Sequence, residues 1–167
     1  MNWIWNHFGV VAGLLLGGLA TVVIVLSNVV LPSMTRIGSD SAYAAVYLVA
    51  YPAIFVVFAV IGFVASGTPS RIGAGARAGA VAALLATAIG LATFFVVDNL
   101  FLAIVGQQVD KIQGFQNSPF RTMREYINVS LAHTLILLPL SSAAGAAFGA
   151  VGAAARKRLG GYAPASS

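Results

Sequence analysis

Cysteine is absent from this chain, which excludes disulfides, thiolate nucleophiles, iron–sulfur clusters and cysteine-type zinc sites, and leaves the redox compartment unspecified. Charge is scarce too. Only 9 Lys and Arg, 4 Asp and Glu and 2 His stand among 167 residues. Two histidines, one of them at the N-terminal tip as His7, cannot assemble a multi-histidine metal centre. Neither an HExxH helix nor a GxSxG elbow is present. Gly73-Ala74-Gly75 and the following Gly79 lack both a preceding strand and the Gly-Lys-Ser/Thr ending of a phosphate loop. Catalysis is therefore not expected, and the residues name no cofactor. A basic stripe with interleaved aromatics is missing as well, so a nucleic-acid partner is not expected.

What fills the chain instead is apolar. A hydrophobic share of 59%, a charged share of 8% and a mean hydropathy of +0.93 are far from the roughly 25% charged residues of a soluble domain. Charges bound four long runs, from about Phe8 to Leu31, Ala42 to Ser66, Ala78 to Val105 and Ile127 to Ala155. Each is long enough to cross roughly 30 Å of hydrocarbon as a helix, the open-ended structure that satisfies its own backbone there. The predicted fold is all-α: an integral membrane four-helix transmembrane bundle, one domain over residues 1–167, with a short interfacial helix before the fourth span. The opening MNWIWNHF has no positive n-region, so the first run reads as a retained helix and not as a signal peptide.

Local signals refine this plan. Thr68-Pro69 and Ser118-Pro119 each place a hydroxyl N-cap before a proline suited to a first helical turn. Pro52 and Pro139 lie inside the second and fourth runs and remove backbone hydrogen bonds there, Pro139 with Ser141 and Ser142 close by to compensate. In the connection Gly106 to Asn128, Gly114 is a divider, and the part after Ser118 reads as a surface helix with Arg121 and Glu125 at i,i+4 and Phe120, Met123 and Tyr126 turned one way. This segment is an aromatic-anchored interfacial piece, a lid or a docking surface. Asn128-Val129-Ser130 matches a glycosylation sequon, but its place at the membrane edge argues against use.

Orientation follows from the cations. Arg71, Arg77, Arg156, Lys157 and Arg158 fall on one side with no acid, whereas Arg36, Lys111, Arg121 and Arg124 fall on the other among Asp40, Asp110 and Glu125. The compact ARKR cluster places both termini in the cytoplasm, in what would be a bacterial cytoplasmic (inner) membrane. The net charge of +5 is then accounted for by topology and by attraction to anionic headgroups of the bilayer.

Small residues crowd the halves of the runs nearest that side: Gly13, Gly17 and Gly18, then Gly62, Gly75 and Gly79, then Gly145, Gly149 and Gly152. Four-residue spacing of glycine lets helix backbones approach, so this half should be closed. The other half is bulkier and more polar, with Asn28, Tyr43, Tyr47, Tyr51, Phe94, Phe95, Asp98, Asn99, Ser130, His133 and Thr134, which suggests a looser, water-reachable pocket. Gly18-Leu19-Ala20-Thr21 recurs as Gly90-Leu91-Ala92-Thr93, and Tyr43, Val46 and Leu48 echo Tyr126, Val129 and Leu131, the marks of a duplicated hairpin.

Asp98 is the one carboxylate well inside an apolar run. An acid at membrane depth marks a working site or a polar contact that fixes helix register. Asp98 and His133 sit at matching depths, roughly 10 to 12 Å below a common boundary at 1.5 Å per residue, so a hydrogen-bonded pair with Tyr47 or Tyr51 nearby is expected. The candidate binding residues are Asp98, His133, Tyr47, Tyr51 and Asn99. Three functions fit: a non-catalytic subunit or assembly factor with a membrane-protein partner or as a homo-oligomer; a small oligomeric transporter or channel using Asp98 as a proton or cation site; a quinone- or lipid-binding protein.

Overall fold

The computed structural model describes residues 7–30, 40–67 and 71–160, and within the second stretch side chains are described from Pro52 onward. The described residues fold into helices α1 (Phe8–Val25), α2 (Asp40–Ala65), α3 (Ile72–Leu100), α4 (Leu102–Val105), α5 (Val109–Gln116), α6 (Met123–His133) and α7 (Leu137–Gly160). A π-helical turn, Leu26–Val30, extends α1, and a 3₁₀ turn, Thr134–Ile136, joins α6 to α7. No strand occurs among the described residues.

Three stretches are long and apolar enough to cross a membrane: Phe8–Val30, Ile72–Leu100 and Met123–Leu159. Only 22%, 22% and 17% of their most apolar windows are buried within the bundle. Leu15, Leu19, Val56, Leu100, Ile136 and Val151 all point outward. Outward-facing leucine and valine on every long helix suit lipid as solvent, where helices gain nothing by hiding apolar surface from one another.

The third apolar helix differs from its expected bounds. It begins at Ile72, with Arg71 in extended conformation before it, and ends at Leu100, where Phe101 leaves helical geometry at φ −108° and ψ 31°. The chain then makes the separate single turn α4. Residue 98 therefore lies in the last turn of α3, not deep in a run reaching Val105. The 3₁₀ turn before α7 has a local cause in Pro139, which has no N–H to offer the Leu135 carbonyl four residues back. Ser141 Oγ donates to Leu138 O at 3.1 Å, Ser142 Oγ reaches across to Ala80 O at 3.5 Å, and Thr134 Oγ1 donates to Leu131 O at 2.6 Å. Hydroxyls thus take up carbonyls around the irregular turn.

Contacts set the directions of the helices. Gly9 faces Ala78, Gly13 faces Ala82 and Gly17 faces Ile89, so α1 and α3 run parallel. Phe55 stacks on Phe148 at 4.4 Å and Gly152 lies on Ala59, which makes α2 parallel to α7. Gly79 against Gly145 and Gly75 against Gly149 and Ala153 make α3 and α7 antiparallel. As a result the Phe8 end of α1 and the Gly160 end of α7 share one end of the bundle, together with the α2–α3 turn. Gly67, at φ +68°, closes α2 in the left-handed conformation that glycine alone adopts without a Cβ clash.

At this glycine end the backbones touch. A Cβ on Gly9 would lie 2.6 Å from the Ala78 carbonyl oxygen, and one on Gly75 would lie 2.8 Å from the carbonyl oxygens of both Gly62 and Gly149. Phe58, Ile61, Ala78, Ala82 and Ala83 form the buried core alongside. Arg156 fastens α7 to the end of α2, its Nη1 donating to Phe63 O at 3.0 Å and Val64 O at 3.1 Å while the guanidinium stands 5.6 Å from the Phe63 ring centroid. Both carbonyls belong to the last turn of α2, where helical acceptors lose their in-helix donors, and Phe63 O also accepts from Ser66 Oγ at 2.9 Å. The closed, small-residue packing expected of this half is present, with one exception: Gly18 has open space around it.

Candidate functional site

The opposite end of the bundle is built from polar side chains. Going up α1 and α3, Thr21 Oγ1 and Thr93 Oγ1 share a hydrogen bond of 2.8 Å, so the two copies of the Gly-Leu-Ala-Thr segment meet at equivalent positions. One hydroxyl donates to the other, and the accepting threonine donates back along its own helix, Gly17 O standing 3.0 Å from Thr21 Oγ1 and Ile89 O 2.9 Å from Thr93 Oγ1. About two turns higher, in the π-helical turn, Asn28 Nδ2 donates to Ile24 O at 2.9 Å, and Gln108 Nε2 approaches both Asn28 O and Asn28 Oδ1 at 3.4 Å. A π turn widens the helix and turns side chains off their regular line, and here it presents Asn28 to the connection that follows α4.

Asp98 lies at the centre of this end. Its side chain is 0% exposed, and Lys111 Nζ stands 3.5 Å from its Oδ2 while remaining 22% exposed itself. Asp98 Oδ1 is buried with no hydrogen-bond partner among the described residues. Being in the last turn of α3, the carboxylate also sits near carbonyls that carry the negative end of the helix dipole. The Lys111 ammonium on α5 therefore faces two sources of negative potential. Leaving a buried acceptor unsatisfied costs about 1–3 kcal/mol, and desolvating a charge pair offsets much of its attraction, so the arrangement is not a low-energy choice for stability alone.

The segment carrying Lys111 folds back over the end of the bundle. Val105, in the one-turn α4, is 0% exposed, and Ile127 of α6 is 1% exposed. Asn99 Nδ2 ties α3 to α6, donating to Asn128 Oδ1 at 2.8 Å and to its own Phe95 O at 2.9 Å. The start of α6 is capped by Thr122, whose Oγ1 accepts from Glu125 N at 3.2 Å, while Glu125 Oε2 accepts from Arg121 N at 3.3 Å. This exchange fixes the helix start by the capping logic of a hydroxyl followed three residues later by glutamate.

Several expectations are corrected here. Asp98 does not pair with His133: Asp98 is bonded to Lys111, and His133 is exposed on α6. Depth explains the difference. Asn99 is level with Asn128, so His133, further along the same helix, lies roughly 7 Å deeper at 1.5 Å per residue. Gly114 does not divide the connection. It lies inside α5, against the hydroxyl of Tyr126, whose ring in turn lies 6.2 Å from Phe115 and 6.3 Å from Phe120. Ser118-Pro119 does not open a helix either: Ser118 Oγ donates to Phe115 O at 2.7 Å and closes α5, and α6 begins after Thr122. Thr68-Pro69 and the side chains of Tyr43, Tyr47 and Tyr51 lie outside the described residues.

Asp98 and Asn99 are brought into the site as adjacent residues with different partners, and Lys111 and Gln108 join them unforeseen. The available signal for Lys111 was its place as the one cation in GQQVDKIQG, a stretch that must turn back directly above the end of α3. Among the described residues no three His, Cys, Asp or Glu side chains come together. At Asp98, this end therefore sets a buried carboxylate beside an ammonium, with the amide groups of Asn28, Asn99, Gln108 and Asn128 around them. Compared with protein-family models, with curated proteins and with solved structures, the chain matches none.

Proposed function

We propose that the chain is a four-span integral membrane protein of a bacterial cytoplasmic membrane, with the Phe8 and Gly160 ends toward the cytoplasm, acting as a non-catalytic subunit or assembly factor of a larger membrane complex. The fourth span is α2. Its 26 residues reach about 39 Å at 1.5 Å per residue, its stretch Pro52–Ala65 is apolar, and its course parallel to α7 suits alternating crossings. Lys157 and Arg158 in the last turn of α7, with Arg71 at the start of α3, favour the cytoplasm for the glycine end.

One observation carries the functional reading. Among the described residues Asp98 is the one buried charged side chain, and its counter-ion comes from the chain itself. A solute pathway needs groups that exchange partners along its length; here the opposite half is closed by backbone against backbone. The apolar outer faces of α1 and α7 are left for lipid or for another membrane protein.

Mild detergent extraction followed by native mass measurement tests this. Recovery with a larger partner, or as a defined homo-oligomer, is expected. Proton or cation flux in liposomes that is lost in Asp98→Asn with its fold retained would replace the reading with a small oligomeric transporter or channel using Asp98. That second reading has one observation in its favour, the unpartnered Asp98 Oδ1.

A further inference from the structure

The connection between α3 and α6 is attached to the bundle in an unusual way. Its longest helix, α5, contributes no buried residue, and its Val109 and Ile112 point outward at 61% and 36% exposure. Its one apolar attachment is Phe115, whose ring lies 6.2 Å from Tyr126. Beside it the segment is held by Lys111 to Asp98 at 3.5 Å, Gln108 to Asn28 at 3.4 Å, and the seat of Gly114 on Tyr126. Both polar contacts are long for charge-assisted or amide hydrogen bonds, which favour 2.7–3.2 Å. Just before this lightly held segment Val105 is wholly inaccessible, on the neighbouring α6 Ile127 is nearly so, and the carboxylate under Lys111 has one oxygen unsatisfied among the described residues.

We propose that Gln108–Gln116 is a latched strap over the Asp98 end of the bundle, with Lys111–Asp98 as its latch, and that it opens as a unit while the glycine end stays closed. Local openings draw on regions with few buried apolar contacts, and α5 fits that description. The unsatisfied Oδ1 raises the free energy of the closed state and so narrows the gap to the open one, in which water or a partner's donor can reach that oxygen. Opening exposes Asp98 on the side of the membrane away from the arginine-rich ends of α3 and α7. The inference concerns the motion of this segment alone and holds for a subunit and for a transporter alike.

The chain's lack of cysteine makes a single introduced thiol a unique reporter. Val105→Cys would be placed at the buried root of the strap and Ile61→Cys in the glycine-end core, where Ile61 is 5% exposed. Each purified protein, in lipid nanodiscs, would be treated with a water-soluble maleimide. Slow labelling of both is expected in the otherwise unchanged chain. Adding Lys111→Met should raise the rate at Val105→Cys about tenfold or more, by roughly the factor that about 1.4 kcal/mol represents, with Ile61→Cys still protected. Lys111→Arg should keep both protected. An unchanged rate at Val105→Cys in the Lys111→Met background would overturn the latch. Parallel deprotection of Ile61→Cys would overturn it too, because the ion pair would then be holding the whole bundle.

Discussion

At the glycine end the helices are held by backbone lying on backbone, whereas at the Asp98 end they are held by side chains reaching across a wider gap. Gly75, Gly79, Gly145 and Gly149 bring α3 and α7 so close that a single Cβ would strike a carbonyl oxygen. Thr21 to Thr93, Asn99 to Asn128 and Lys111 to Asp98 span the other end with hydrogen bonds and a charge pair. Lipid supplies no hydrophobic force between helices, and these are the two remedies available: close van der Waals packing, or polar contacts. Close packing has no slack, because backbone atoms cannot rotate away. Polar contacts tolerate spacing but must be satisfied, and at Asp98 Oδ1 one is not.

The comparison is broken most directly by adding atoms to the closed end. Gly149→Val would drive a side chain into the Gly75 carbonyl, and thermal unfolding in detergent should show a loss of about 3 kcal/mol, at the upper range of overpacking. Wild-type stability in that variant would mean that backbone contact does not close this end. Next in size is Lys111→Met, which strands a buried carboxylate. A loss of about 2 kcal/mol is expected, below the usual cost of a broken buried pair because Lys111 is partly exposed and the carboxyl can take up a proton. Asp98→Asn should cost less, since it removes the buried charge and keeps an acceptor for Lys111. Equal losses in the two variants would show that charge is not what matters there.

Smaller changes sharpen the boundary between the two ends. Thr93→Val, measured in a double-mutant cycle with Thr21→Val, should report a coupling of about 0.6 kcal/mol, the usual size of an interhelical hydrogen bond in a membrane. No coupling would mean that each threonine is satisfied by its own helix through Gly17 O and Ile89 O. The smallest effect should come from Gly18→Ala, within about 0.5 kcal/mol of wild type, since nothing lies near that position. Gly17→Ala, one residue away, would put a Cβ 2.8 Å from Ile89 Cβ and should be clearly worse.

Legibility in the sequence followed the same division. The glycine end could be read because its signal is local and repeated: small residues at four-residue spacing on three of the runs have one physical use in lipid. Even there Gly18 was grouped with Gly17, although adjacent residues on a helix face different ways and only Gly17 meets α3. At the Asp98 end, burial of the acid was legible from the apolar run around it, but its partner was not. The choice of His133 assumed that α3 continued to Val105, and the helix stops at Leu100, which shifts every depth counted from that end.

Composition and hydropathy by themselves determined that this is a helical chain with stretches apolar enough for lipid, where its glycine faces lie, and that one acid inside an apolar run would need a partner. Those properties depend on residue type and helical period, which any stretch of the chain carries on its own. That Lys111 is that partner, that Asn99 faces Asn128, and that the two Gly-Leu-Ala-Thr segments meet through their threonines were decided by the tertiary structure alone. Each depends on where a helix ends and how the following segment turns back over it, and such a register is set by the packing of all the helices together.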